Sequence, residues 1–321
     1  MVLQRDIHTT KKSVHKKNGI RSANRKDQTQ LFLLALPAMI MIIVFKYLPM
    51  FGIIIAFKNY KYNLGIFNSP WVGLNNFKFF FKSNDAAVVL RNALCYNGVM
   101  IPLGAALSIA FALMLTFIKR RKIVNFVQNA MFQPFLLSWV VVAYVSVIFL
   151  NPKSGVLNMI ITSLGFEKIS WYSEPVYWPF ILVFFHMWKG VGYNTLLYYT
   201  AMLNIDDSIY ESATLDGCKK LKQAWYITIP MIKPTIVMLL LLSIGGIFNL
   251  DFGLFYQIPQ NSGELRAVTD TIETYSFRML TVTGDTGIAG AVTLMQSAVG
   301  FLLVVITNKI VKKYDKENAL F

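Results

Sequence analysis

Between Leu31 and Phe57 the chain carries one charged side chain, Lys46, in an otherwise almost unbroken apolar run. As a helix rising about 1.5 Å per residue, such a run is long enough to cross a hydrocarbon layer roughly 30 Å thick. Five more stretches qualify, at 88–117, 124–150, 178–203, 234–254 and 287–308. Lipid offers no hydrogen-bond partners, so a spanning segment must satisfy its own backbone. Six such runs predict an all-α polytopic membrane protein with six transmembrane helices. Composition agrees, with 55% of the 321 residues hydrophobic and only 15% charged. The first run is too long for a signal-peptide core and lacks a small-x-small cleavage site, so it is expected to be a retained span.

Orientation follows from Lys and Arg. With the N-terminus in the cytoplasm, segments 1–30, 118–123, 204–233 and the tail from Lys309 hold twenty Lys/Arg, and 58–87, 151–177 and 255–286 hold eight. Both termini are therefore expected inside. The net charge of +15 is read as this bias rather than as a nucleic-acid footprint. Residues 1–30 are expected to be a disordered basic cytoplasmic arm near anionic lipid, 31–310 the permease domain and 311–321 a cytoplasmic tail. In the first outer loop, Ser69–Phe81 reads "SPWVGLNNFKFFF". It is either an interfacial helix or a simple anchoring loop. Cys95 sits in an apolar run and Cys218 in a polar loop, so no disulfide is expected.

The loop 204–233 reads like a fragment of a soluble protein. Asp206 and Asp207 are N-cap candidates, and Ser208 with Glu211 three residues on forms a capping-box pattern. Gly217 is a natural helix stop. A short helix over Asp207–Asp216 is expected, then a second from about Lys219 that breaks near Pro230. A capped helix followed by a turn is a rigid knob, suited to docking in a partner's groove.

Glu211-Ser212-Ala213, three residues, Gly217, nine residues and Ile227-Thr228-Ile229-Pro230 together resemble the EAA signature of bacterial ABC importer permeases. Ser212 stands where that signature has alanine and Ile229 where it has leucine. "FHMWKGVGYNTLLYYTAMLNIDDSIYESATLDG", "IGGIFNLDFGLFYQIP" and the final apolar run are similar to the polysaccharide-type, LplB-like branch of carbohydrate permeases. The resemblance spans nearly all of the chain past its first 25 or so residues. It implies a type I ABC importer permease-like fold in a bacterial plasma membrane. It also implies a second permease subunit, normally in a heterodimer, and two cytoplasmic ATPase subunits that carry ATP and Mg. An extracytoplasmic solute-binding protein would deliver the sugar. Glu211, Ser212, Ala213, Asp216, Gly217, Ile227 and Pro230 would form the ATPase-coupling site.

The chain is not expected to be an enzyme or to bind a cofactor or metal of its own. It has no phosphate-binding G-x-x-x-x-G-K-[ST] loop, no G-x-S-x-G, and three histidines (His8, His15 and His186) in no metal-ligand pattern. A secondary carrier remains a rival reading, as does an ABC permease for glycerol phosphate or peptides. Neither a clear internal repeat nor a need for a coupling helix supports the carrier.

Ionisable groups within spans are expensive and usually functional. His186 and Lys189 are placed deepest, with Lys189 near the midplane, and Asp251 lies towards the outer end of span five. A direct Lys189–Asp251 bridge is disfavoured by their different depths; the alternative is that both line a water-filled path, which is preferred for Lys189 over packing at a subunit interface. Lys46 marks a bend, faces a water-filled pocket or snorkels, and Arg91 is expected to snorkel. Trp188, Tyr193, Asn194, Phe248, Asn249, Phe252 and Gln296 combine stacking faces with amides, as a sugar path requires, although ordinary helix packing explains any one of them. If His186 and Lys189 face the path, uronate-containing glycans become the expected class. Gly190, Gly192, Gly245 and Gly246 are expected to allow close helix approach.

Overall fold

The computed structural model describes residues 25–314. The expected arm and the end of the tail lie outside them, except that residues 25–30, placed in the arm from sequence, are helical. The described residues divide into two compact units, with the boundary between Phe51 and Gly52. In the first, helix α1 (Arg25–Ile42) runs into a π turn, Ile43–Tyr47, that contains Lys46.

Among its described residues the second unit is built of helices joined by turns and loops, with one isolated β-bridge, Lys58 to Trp71. That bridge folds the 58–71 segment back on itself. Lys58 Nζ donates to the carbonyls of Ile66 and Phe67, and Asn76 donates to those of Ala56 and Lys58. Helix α2 (Asn75–Lys82) follows, with Phe80 buried, so part of the aromatic stretch forms a short helix. Then come α3 (Asn84–Phe117), α4 (Arg121–Leu136), α5 (Trp139–Leu150) and α6 (Trp178–Leu203). The polar loop forms α7 (Asp207–Leu215) and α8 (Lys220–Met231). The remainder comprises α9 (Lys233–Gly245), α10 (Phe252–Gln257), α11 (Ile272–Arg278) and α12 (Thr286–Tyr314).

Three buried clusters hold this unit. Tyr96, Val142, Trp178, Leu182, Leu254 and Phe255 join α3, α5, α6 and α10. Phe80, Val89, Tyr275 and Val292 join α2, α3, α11 and α12. Ala112, Tyr198, Met202, Ile205 and Ile232 close the end that carries the polar loop.

Among the described residues, three helices are long and apolar enough to span a membrane, or up to five if each bent pair counts as one span. Two runs expected to be single helices are broken. The 124–150 run bends by 96° between α4 and α5. Its cause lies in "QPFLLSW": Pro134 ends one helix and Ser138 caps the next through Val141 N. The 234–254 run stops at Gly245 and restarts at Phe252. Helix α6, at 26 residues, is long enough to span but too polar to count among these candidates.

Two of the four glycines expected at close approaches are there. A Cβ on Gly192 would lie 1.9 Å from Met131 O, and one on Gly245 would lie 2.2 Å from a Val304 methyl. Gly190 meets nothing within 4 Å and Gly246 only ordinary contacts.

Candidate functional site

The polar loop is a braced knob. Ile205 is buried against the end of the helical unit, and the chain then turns into α7. Asp206 is the N-cap; its carboxylate accepts from Ser208 N at 2.9 Å, which holds its pKa below the ordinary value. This corrects the expected capping box. With Asp206 at the cap, Ser208 falls inside the helix, and Glu211 is not at the position that reaches back. At the other end Gly217 takes φ +76°, Gly217 N donates to Thr214 O and Cys218 N to Ala213 O. That crossed pair is a Schellman stop.

Side chains that escaped the sequence reading fix the knob to the next helix. Gln223 Nε2 donates to Thr214 Oγ1 at 2.9 Å and to Cys218 O at 3.0 Å, and Tyr210 Oη pairs with Thr228 Oγ1 at 2.9 Å. Their only signal was polarity inside an amphipathic stretch. Ala213 and Ile227 are half-buried, and Ile232 rather than Pro230 marks the 61° bend into α9. Pro230 is exposed in the last turn of α8. Glu211, Ser212, Asp216 and Gly217 are exposed, together with Leu215 at 89% exposure. Trp225 and Tyr226 of α8 are exposed as well.

A second feature lies on α6. His186, Gly190, Tyr193 and Asn194 line a cavity of about 430 Å³, closed by Met100 and Gly104 of α3 and Ser243 of α9. Trp188 lies on the other side of α6, lining a separate apolar cavity with Phe149, Phe180 and Phe184. Helical geometry separates it, since positions 188 and 190 point about 200° apart.

The interruption of the fifth run, 246–251, is built rather than frayed. Asn97 Nδ2 donates to Ile247 O (2.7 Å) and Asn249 O (3.2 Å). Gln296 Nε2 donates to Phe248 O (2.9 Å) and Glu273 Oε1 (2.7 Å), and also meets Asn249 Oδ1. Glu273 Oε1 in turn accepts from Leu250 N at 3.1 Å. Three helices thus satisfy backbone groups that an unbroken helix would have satisfied alone. Gln296 and Asn249, candidates for substrate contact, are committed to this brace, and Gln296 is buried. Glu273 Oε2 is buried without a partner.

Lys189 and Asp251 form no direct ion pair; Trp139 lies between them. Lys189 Nζ donates to Phe135 O at 2.7 Å, a carbonyl left unpaired in the last turn of α4. The same ammonium lies 5.3 Å from the Phe135 ring centre and 5.2 Å from that of Trp139. Trp139 Nε1 donates to Asp251 Oδ2 at 2.5 Å, while Asp251 Oδ1 caps α10 through Gly253 N. Arg91 is exposed, and its guanidinium donates to Ala267 O and Asn92 Oδ1. Among the described residues no group of three or more His, Cys, Asp or Glu side chains could hold a metal ion.

Residues 100–316 match the family described as the binding-protein-dependent transport system inner membrane component. The chain is 34% identical to protein LplB of Bacillus subtilis (strain 168), across 91% of this chain and 91% of that one. It is 33% identical to the polygalacturonan/rhamnogalacturonan transport system permease protein YteP of the same organism, across 91% and 90%. Its fold matches a chain of a bacterial alginate ABC transporter solved in complex with an alginate pentasaccharide-bound periplasmic protein. The TM-score is 0.81 and the identity 27%, over 91% of this chain and 96% of that one.

Proposed function

The chain belongs to the inner-membrane components of binding-protein-dependent transport systems, and from that premise we propose that it is a permease subunit of an ABC importer for oligosaccharides or polysaccharide fragments. Six membrane crossings with both termini cytoplasmic complete the proposal. The chain pairs with a second permease. The knob at 206–217 seats in an ATPase subunit, one of two that bind and hydrolyse ATP with Mg. A binding protein hands the glycan to the outer face.

The observation that carries this reading is the knob itself. It is capped at both ends, braced by Gln223 and Tyr210, and bears an uncovered Leu215 beside Glu211. A rigid, partly apolar projection transmits a partner's motion into α9 through the buried Ile232 contact. Occupancy of the inward- and outward-open states then follows from differential nucleotide affinity, as any such coupling requires. The glycan class is supported by YteP, named for polygalacturonan and rhamnogalacturonan, and by the alginate transporter, described as importing an acidic polysaccharide.

The test is ATP hydrolysis by the complete complex in lipid, with and without its binding protein, over neutral and uronate oligosaccharides. Stimulation by one glycan class supports the reading and identifies the cargo. A complex that hydrolyses ATP equally with every glycan and with none contradicts it.

A further inference from the structure

The stretch 246–251 joins α9, whose base meets the knob's end of the unit through Ile232, to α10 at the outer end of the fifth run. Any movement passed along that run must cross it. Side chains from three helices hold its backbone, and the hydrogens they offer can be counted. Gln296 Nε2 carries two hydrogens and faces three oxygens, Phe248 O, Asn249 Oδ1 and Glu273 Oε1. Asn97 Nδ2 gives its two to Ile247 O and Asn249 O, and Leu250 N gives its one to Glu273 Oε1. Glu273 Oε2 is buried and receives none. The brace is short of hydrogens, and the shortage falls on a carboxyl group.

An ionised carboxylate there has no cation to answer it. The charged groups nearest in the fold, on the elements packed against α11, are Asp85 and Arg91 of α3, Asp251 before α10, Asp270 and Arg278 at the two ends of α11, and Asp285 before α12. The lysines of α12 lie in its last two turns. Arg278 is held by Asp270 and Asp85, and Arg91 by Ala267 O and Asn92. Tyr96 donates to Val268 O, the rings of Tyr256 and Tyr275 pack on Phe277 and Phe80, and Cys95 is exposed. Burying a charge without donors costs far more than burying a neutral acid, and the carboxyl pKa is raised, chiefly by burial. A proton on Oε2 removes the charge and leaves both bonds to Oε1 in place. Once the proton leaves, Oε2 finds donors only by turning toward water, which draws Oε1 away from Leu250 N and Gln296.

We propose that Glu273 is a proton-operated latch: protonated from the outer side it fastens 246–251 in the braced form, and ionised it frees that stretch to move during transport. The proposal rests on the importer reading and on the placement of α11 outside, and adds a control that neither contains. The latch is complete at low pH and is lost as pH rises through the folded value, so acidity outside slows turnover.

Two measurements test it, both on the complete transporter with its ATPase subunits and binding protein. In the first, amide hydrogen exchange over 246–251 is followed in lipid nanodiscs. Wild type and Glu273→Gln are compared at each pH, so that the intrinsic pH dependence of exchange cancels. Glutamine keeps an acceptor for Leu250 N and carries no charge. The wild type is expected to match it at about pH 5 and to exchange about tenfold faster at about pH 8, the order of one hydrogen bond to a charged group. Equal exchange at both ends, or a difference that does not change with pH, would overturn the latch. In the second, proteoliposomes hold ATP inside at fixed pH, with the binding protein and a galacturonate, alginate or neutral glucan oligosaccharide outside. Stimulated hydrolysis by the wild type should rise with outer pH, while that of Glu273→Gln stays low and flat. Parallel profiles would mean a purely structural role and would sink the proposal. A wild-type profile that follows the inner pH instead would overturn both the latch and the outward placement of α11. If no glycan stimulates hydrolysis at any pH, the importer reading falls, and the exchange measurement, which needs no turnover, still decides the latch.

Discussion

Gln223 reaches across the polar loop to Thr214, 2.9 Å from amide to hydroxyl, and so locks the exposed helix Asp207–Leu215 onto the helix that follows. Its second bond, to Cys218 O, holds the turn after Gly217. Gln223→Leu keeps the volume and removes both bonds. It is expected to cost about 1 kcal/mol of local stability, seen as faster hydrogen exchange over 207–218. Glycan-stimulated ATP hydrolysis should fall while basal hydrolysis persists, because a loose knob still docks but transmits less.

At Gly217 a side chain would meet open space, so only the backbone resists it. With φ at +76°, valine is expected to cost about 1–2 kcal/mol at the helix stop and asparagine much less. Uptake by Gly217→Val should fall well below that of Gly217→Asn, with equal amounts of each protein in the membrane. Glu211→Lys reverses an exposed charge without touching the packing. It should leave the thermal midpoint unchanged and reduce the ATPase subunit that copurifies.

Gly192 and Gly190 are two residues apart and should respond oppositely to alanine. At Gly192 the new methyl would collide with the Met131 carbonyl, and overpacking of that kind costs about 1–3 kcal/mol or more. At Gly190 nothing lies within 4 Å. Thermal midpoints in detergent should drop for Gly192→Ala and hold for Gly190→Ala.

Glu273, on the helix Ile272–Arg278 outside the membrane-spanning segments, has its carboxyl pKa raised chiefly by burial, against hydrogen bonds from backbone N–H groups and Gln296. A raised carboxyl favours the protonated form in the folded protein. Its contribution is therefore full below the unfolded value near 4.5 and is lost as pH rises through the folded value. Glu273→Gln removes that loss and can still accept from Leu250 N. Its thermal midpoint is expected to exceed that of the wild type near neutral pH, and the gap should close on acidification. Glu273→Ala, which unseats the brace on 246–251, should be destabilised at every pH.

What could be read from the sequence were features with a local cause. Apolar runs such as Leu31–Phe57 announce themselves by length, and Gly217 announces a helix end because few residues tolerate its conformation. The knob was legible because its cap, stop and signature spacing lie within one short segment. The breaks in two spans were harder to see, although Pro134 with Ser138, and Gly245-Gly246 with Asp251, are the residues that make them. The braces were not legible. Asn97, Glu273 and Gln296 come from three distant helices, and nothing in their own surroundings indicates that they serve one stretch of backbone. The same holds for Trp139, whose place between Lys189 and Asp251 exists only once α4 and α5 have bent apart.

The central claim is that the knob at 206–217 docks on a cytoplasmic ATPase subunit. The most direct measurement is thiol cross-linking from Leu215→Cys, its most exposed apolar position, with Cys95 and Cys218 replaced by serine. The account predicts a short-linker adduct with the ATPase subunit whose yield changes between nucleotide-free and ATP-bound complexes. An intact, assembled complex in which Leu215→Cys stays freely reactive to solvent in both states, with no adduct, would contradict it.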